Sequence, residues 1–178
     1  MKSTAIGTAM LLVCVGMLSA QAPAAPKPGP EHERLGAFVG NWTFAGEMKP
    51  GPMGPGGKIT GTDRIQWMPG NFFLERRFEG TGPMGKISGL EIMGYDPVKK
   101  THTFTLVDSI GSYGAGTMTL SGSTWTTSGI GSMGGKTMQE RCTLAFGADS
   151  ATLKVSCEAS PDGKSWMPMV DGMATKSK

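Results

Sequence analysis

From residue 40 onward, apolar and polar residues alternate with a period of two, in short runs separated by Gly, Pro, Asp and Ser. That period places successive side chains on opposite faces of an extended chain, so each run predicts a half-buried strand. Such runs cover residues 42–48, 58–68, 72–80, 86–95, 101–108, 113–120, 124–130, 136–146, 152–159 and 166–175. The links carry turn chemistry, as in Pro69-Gly70-Asn71, Asp96-Pro97, Ser121-Gly122-Ser123 and Ser160-Pro161-Asp162-Gly163. Glycine supplies positive φ and proline a fixed φ, and links this short join antiparallel neighbours. The expected fold is all-β: a roughly ten-stranded antiparallel up-and-down meander, which escapes exposed edges by closing into a barrel.

Ahead of the strands, residues 31–39 set Leu35, Phe38 and Val39 at helical spacing behind Glu31 and Glu33. This predicts a short N-terminal helix of one or two turns, limited by Gly36 and Gly40. Residues 21–30 (QAPAAPKPGP) have nothing to bury and read as an extended linker. Residues 1–20 open with Lys2, continue as an apolar run over 5–18 and end in Ser19-Ala20. That is the layout of a secretory signal peptide cleaved after Ala20, with Ala22-Pro23-Ala24 as a second cleavage site, and it is too short for a membrane anchor. A lipoprotein reading would use Cys14, but Val13 before it is too bulky. The expected plan is therefore a signal peptide (1–20), a linker (21–30) and one β-domain (31–178). The expected location is periplasmic or secreted, with no stable membrane insertion once the signal is removed.

Loss of the signal peptide leaves Cys142 and Cys157. A loop centred on Asp149-Ser150 pairs Phe146 with Leu153, Leu144 with Val155 and Cys142 with Cys157. One register thus aligns both apolar faces and sets the sulfurs opposite each other. Two buried thiols would also satisfy the pattern, whereas an oxidising compartment favours a disulfide.

Composition narrows the function classes. The net charge is +3 and the basic residues cluster only as the pairs Arg76-Arg77 and Lys99-Lys100, so no nucleic-acid footprint is present. Nucleophile elbows, paired-histidine zinc motifs and C-x-x-C spacings are all missing. The chain has two histidines: His32 reads as solvated beside Glu31 and Glu33, and His102 as an exposed rim residue. No catalytic residue, metal site or cofactor is nominated. Met167, Met169 and Met173, with Met53, Met84 and Met133 in Gly-rich loops, read as gap fillers, although thioethers also suit Cu(I). The stretch 50–58 (PGPMGPGGK) lacks the Lys-Ser/Thr ending of a phosphate loop and reads as a long mobile loop.

Polar residues on apolar strand faces are more informative. Arg76 shares a face with Phe72, Leu74 and Phe78; Glu140 lies among Met138, Cys142 and Leu144; Asp63 and Asp108 sit in similar company. Either these groups form an internal Arg76–carboxylate pair that orients a ligand, or they stand in water at the barrel rims.

The segment LGAFVGNW (35–42), a short apolar helix running through Gly40 to Trp42, resembles the opening of calycin barrels. In lipocalins and nitrobindin-like proteins a tryptophan at this place plugs the closed end. HERLGAFVGNW (32–42), WMPGNFFLERRFEG (67–80), GLEIMGYDP (89–97) and SPDGKSW (160–166) resemble the bacterial domain of unknown function 1579 family over essentially the whole mature chain. The resemblance implies a calycin-like barrel and brings no established activity. Nitrobindin-like barrels hold haem through a histidine near the C-terminus, and no histidine follows His102. Lipocalins also pack a late arginine on the plug tryptophan; the last arginine, Arg141, faces outward in the register above and does not take that role.

The function expected from these readings is a non-enzymatic binding module for a small apolar or amphipathic ligand. Its candidate lining is Phe44, Trp67, Phe72, Leu74, Phe104, Leu106, Leu144 and Val155, with Arg76 and Glu140 as polar anchors. The alternative is a filled barrel acting through its surface as an envelope interaction module, and a hydrolase or isomerase comes third, without a nominated nucleophile.

Overall fold

The structure is a computed structural model and describes residues 25–51, 54–133 and 135–177. The expected signal peptide, Cys14 and Met53 lie outside the described residues. A helix, α1 (Pro30–Arg34), leads into a 3-10 turn (Leu35–Phe38) and then into ten strands. These are β1 (Gly40–Met48), β2 (Gly57–Trp67), β3 (Phe73–Gly82), β4 (Gly85–Asp96) and β5 (Thr101–Asp108). They continue as β6 (Tyr113–Ser121), β7 (Thr124–Met133), β8 (Lys136–Phe146), β9 (Thr152–Ser160) and β10 (Met167–Lys176). Among the described residues no helix is long and apolar enough to cross a membrane.

Each strand pairs antiparallel with its neighbours in sequence, and β1 pairs with β10 to close the barrel. The closing ladder runs from Trp42↔Lys176 to Met48↔Val170. No edge is left to recruit a foreign strand, which is the physical benefit of closure. The expected ten-stranded up-and-down barrel is the observed one. Two expected strands, 101–108 and 136–146, have the observed ends, and the others differ by one to three residues.

The two barrel ends differ. Over one end lie α1, the 3-10 turn and a buried cluster including Leu35, Phe38, Trp42, Leu74, Met93, Met118 and Trp125. Trp42 is 2 % exposed, and its indole Nε1 donates to the Phe38 carbonyl at 2.8 Å. Phe38 packs against Trp125 and Phe146 at centroid distances of 5.6 and 5.1 Å. Trp42 therefore plugs this end as the resemblance implied. The cation over its ring is Lys176, with Nζ 5.0 Å from the centroid. Arg141 faces outward, where it pairs with Glu158 and lies 4.0 Å from the Trp166 ring.

Both histidines belong to this closed end, which corrects their expected exposure. His102 is 6 % exposed; its Nε2 donates to the Glu31 carbonyl at 2.8 Å and its ring meets Trp125 edge-on at 4.8 Å. His32 accepts from the Gly29 amide through Nδ1 at 3.1 Å and touches Phe72 and Tyr95 edge-on. The helix folds down over the barrel mouth, and that covering buries the His102 imidazole and half-buries that of His32. At the opposite end the β9–β10 turn is tied by Asp162, which accepts from the Ser165 and Lys164 amides at 2.8 Å each. These bonds hold its carboxyl down at about 2.

The β8–β9 hairpin adopts the expected register: Phe146↔Leu153, Leu144↔Val155 and Cys142↔Cys157. The cysteines form a disulfide across 15 residues of chain, with Cα atoms 4.1 Å apart, the close spacing of a non-hydrogen-bonded cross-strand pair. Cross-linking a loop of this length restricts the unfolded chain by about 3 kcal/mol. Reduction, or the double change Cys142→Ser and Cys157→Ser, is expected to lower Tm by roughly 6–12 °C in calorimetry. An unchanged Tm would show that the cross-link contributes nothing to stability.

Candidate ligand-binding lumen

Strand alternation sends one face of every strand inward, and the volume enclosed depends on what those positions carry. Toward the open end of β6 and β7 they are glycine. Register aligns Phe104 with Gly116, Gly116 with Gly129 and Gly129 with Glu140, while the next row runs Leu106, Gly114, Gly131 and Met138. A β-carbon at Gly116 would strike the Ser128 carbonyl and one at Gly129 the Ala115 carbonyl, so these glycines let the two strands approach closely. The inward side chains of the barrel leave a lumen of about 410 Å³, within the size range of small-molecule sites.

The lumen is mostly apolar. Phe44, Ile65, Phe78, Phe104, Leu106, Met118, Leu144 and Val155 contribute to its wall, together with the Cys142–Cys157 pair and Thr127. Phe44 lies over Gly46 and Gly172, and Phe78 over Gly89, so closely that a β-carbon on any of these glycines would strike the ring. Glycine beneath an aromatic ring lets the ring lie flat along the wall instead of projecting into the centre. The open end is ringed by Met48, Ile59, Pro83, Met84, Ile87 and Ile110.

Of the expected lining residues, Phe44, Arg76, Phe104, Leu106, Leu144, Val155 and Glu140 meet around this lumen. Three others stand elsewhere. Leu74 is fully buried in the closed-end cluster, Trp67 lies beside Gly36 of the 3-10 turn, and Phe72 packs on His32. Strand parity assigns a residue to a face but says nothing about its height along the barrel axis.

Two acidic arrangements dominate the lumen's electrostatics. The first centres on Arg76. Its Nε and Nη2 each reach Asp63 Oδ1 at 2.8 Å, and its Nη1 donates to Glu91 Oε2 at 2.7 Å. All three nitrogens are engaged, and the guanidinium lies 5.0 Å from the Phe78 ring centroid. Burial acts to depress the Arg76 pKa, but the two carboxylates outweigh it and hold the group above its ordinary value. The internal ion pair is thus a triad rather than a rim cluster. Glu91 was missed from the sequence, although it shares its strand parity with Met93 and Tyr95. Asp108 belongs to the rim, where its carboxylate accepts from the Ile110 and Ser112 amides and caps the β5–β6 turn.

The second arrangement is Glu140 alone. It stands between Gly129 and Ala159 in register, and its carboxyl lies over Gly131. It has no hydrogen-bond or ion-pair partner among the described residues, and burial pushes its pKa above the ordinary carboxylate value.

Neither histidine lines the lumen, since both are held at the closed end. The lumen thus offers no imidazole to a haem iron, and the residues present do not fit that group. Met173 faces outward and is 44 % exposed. Met167 aligns instead with buried Ala159, and a bulge at Pro168/Val170 interrupts the strand after it, so the three thioethers do not converge. A larger concavity of about 720 Å³ lies on the outer surface of β1–β5; it is more open to solvent, and the enclosed lumen is the better-formed site.

Residues 27–176 match the protein family described as "Protein of unknown function (DUF1579)". The chain belongs to this family. No curated protein matches it in sequence. Among solved structures, the fold is similar to Rv2717c from M. tuberculosis, with a TM-score of 0.60 and 15 % identity over 84 % of this chain and 99 % of that one. It is also similar to the S-type phycobiliprotein lyase CPES from Guillardia theta, with a TM-score of 0.55 and 14 % identity over 83 % and 93 % of the two chains. At such identities the likeness establishes that the family member shares the barrel fold.

Two outcomes follow for the lumen's charges. Replacing Arg76 by Met strands Asp63 and Glu91 without their cation and is expected to cost about 3 kcal/mol in urea unfolding, the low end for a broken buried pair. The triple change Arg76→Met, Asp63→Asn and Glu91→Gln should recover most of that loss. For Glu140 the folded pKa is raised above the ordinary 4.5, so the native state holds the extra proton in the window between them. Stability contributed by Glu140 is therefore full at low pH, falls as pH rises through that window and is level above it. Glu140→Gln should remove this slope and gain about 0.5–2 kcal/mol at neutral pH; parallel pH–stability curves for the two proteins would contradict it.

Proposed function

We propose that the protein is an exported binding module that holds one small amphipathic molecule in its lumen and performs no covalent chemistry on it. The observation that carries this reading is the hollow itself. A barrel built only for stability would fill its interior with side chains, whereas this one keeps an open space bounded by Phe44, Phe104, Leu106, Leu144 and Val155. An apolar wall with a few placed polar groups is the usual composition of a small-molecule site. The filled-barrel alternative has less support because the lumen retains about 410 Å³. Export is supported by the signal-like residues 1–20 and by the Cys142–Cys157 disulfide, since such bonds persist in oxidising compartments.

A neutral fluorophore tests the reading directly. N-phenyl-1-naphthylamine should bind the purified domain with enhanced emission, and Leu106→Trp should fill part of the lumen that Leu106 lines and weaken binding by about tenfold or more, a difference of roughly 1.4 kcal/mol. Native mass spectrometry of protein taken from its own host should show a bound small molecule that the Trp variant lacks. Fluorophore binding indifferent to the Leu106 change would place the site outside the lumen and defeat the proposal.

A further inference from the structure

Taking the lumen as the binding site, we infer that it selects amphipathic molecules with a protonated amine head, and that the ammonium group pairs with the Glu140 carboxylate.

The charge inventory of the cavity carries this inference. Arg76 is the cation of the lumen wall, half-buried, and it faces two carboxylates, Asp63 and Glu91, that engage all of its nitrogens. The triad alone therefore carries a formal charge of −1. Glu140 adds a further carboxylate on the opposite side of the strand order, and no basic residue faces it from the flanking strands: β7 carries none, and Lys154 of β9 is exposed on the opposite strand parity. From β7 it faces Gly129 and Gly131, and from β9 it faces Ala159. Its neighbours along β8 are Met138 and Cys142. Lys86 and Glu79, the remaining charged residues near the cavity, belong to the exposed mouth.

An anionic head group entering this space would meet net negative potential, and Arg76 is already paired through each of its nitrogens with Asp63 and Glu91. A neutral head would leave Glu140 without a counter-charge. A protonated amine supplies the missing cation, and opposite charges in a poorly hydrated site attract far more strongly than in water. Gly131 matters to the geometry. A β-carbon there would occupy the place of the Glu140 carboxyl, so its absence lets the acid lie against the wall with the lumen open beside it. The rings of Phe44 and Phe104 and the Leu106 side chain then contribute the apolar surface for the rest of the molecule.

Three ligands with one chain length separate the head group from the tail: decylamine, decanol and decanoate, each used below its micellar concentration. They are measured by displacement of N-phenyl-1-naphthylamine at pH 7.5, where the alkylamine is protonated. Decylamine should displace the fluorophore at roughly tenfold lower concentration than decanol, a difference of about 1.4 kcal/mol, and decanoate should be the weakest of the three. In Glu140→Gln the advantage of the amine over the alcohol should vanish, while decanol affinity stays within about twofold of the unaltered protein. Glu140→Ala is the second variant, should the amide disturb folding.

Decanoate binding as tightly as decylamine would overturn the inference. So would an amine preference that survives loss of the Glu140 carboxyl. Fluorophore binding without any amine preference defeats this inference alone and leaves the lumen reading intact. Failure of the fluorophore and all three ligands to bind defeats both.

Discussion

The ladder between β1 and β10 is the constraint on which the rest of the molecule depends. It joins the first strand to the last, from Trp42↔Lys176 to Met48↔Val170, and so turns a meander with two exposed edges into a surface without any. Before closure every strand has two similar faces open to water. After closure one face looks into a confined space, and the alternation of each strand acquires a meaning of inside and outside. The closed-end cluster, the lumen and the buried charges all follow from that distinction.

Closure also brings together the two ends of the domain. The 3-10 turn delivers Phe38 and Trp42 to one mouth of the barrel, and the end of β10 delivers Lys176 to the same place. The indole then has a carbonyl at its N–H, aromatic packing from Phe146 and a cation across its ring. His102 fastens the helix above by its bond to the Glu31 carbonyl. A histidine used in this way is a structural hydrogen-bond donor, and this explains why neither imidazole of the chain is free to serve the lumen.

The lumen is the converse of the plug. Near the closed end, inward positions carry Trp, Phe, Leu and Met and leave no usable space, whereas further along the barrel the inward side chains leave the centre open. Confinement raises the consequence of every charge placed there. Arg76, Asp63 and Glu91 satisfy one another within hydrogen-bond distance and form a rigid part of the wall. Glu140 is left without such a partner, and that asymmetry distinguishes a group available to a ligand from groups consumed by the fold.

The order of strands and the pairing of β8 with β9 were legible in the chain because they depend on local periodicity and short turns. Phe146, Leu144 and Cys142 could be set against Leu153, Val155 and Cys157 with no structure at hand, since one loop and one parity determine the register. Trp42 could be recognised because its surrounding motif is contiguous. Parity also pointed five of the expected ligand-binding residues, Phe44, Arg76, Phe104, Leu106 and Glu140, toward what became the lumen. It could not separate them from Trp67, Phe72 and Leu74, because height along the barrel depends on the stagger accumulated across all ten strands. The partners of Arg76 lay beyond the sequence for the same reason: Asp63 and Glu91 are 13 and 15 residues away, on the two strands that flank β3. The covering of His102 depended on where a helix 71 residues earlier came to rest. Local alternation determined the strands and their faces by itself; long-range closure alone decided which inward residues share a level, which charges are neutralised, and that Glu140 stands without a partner among the described residues.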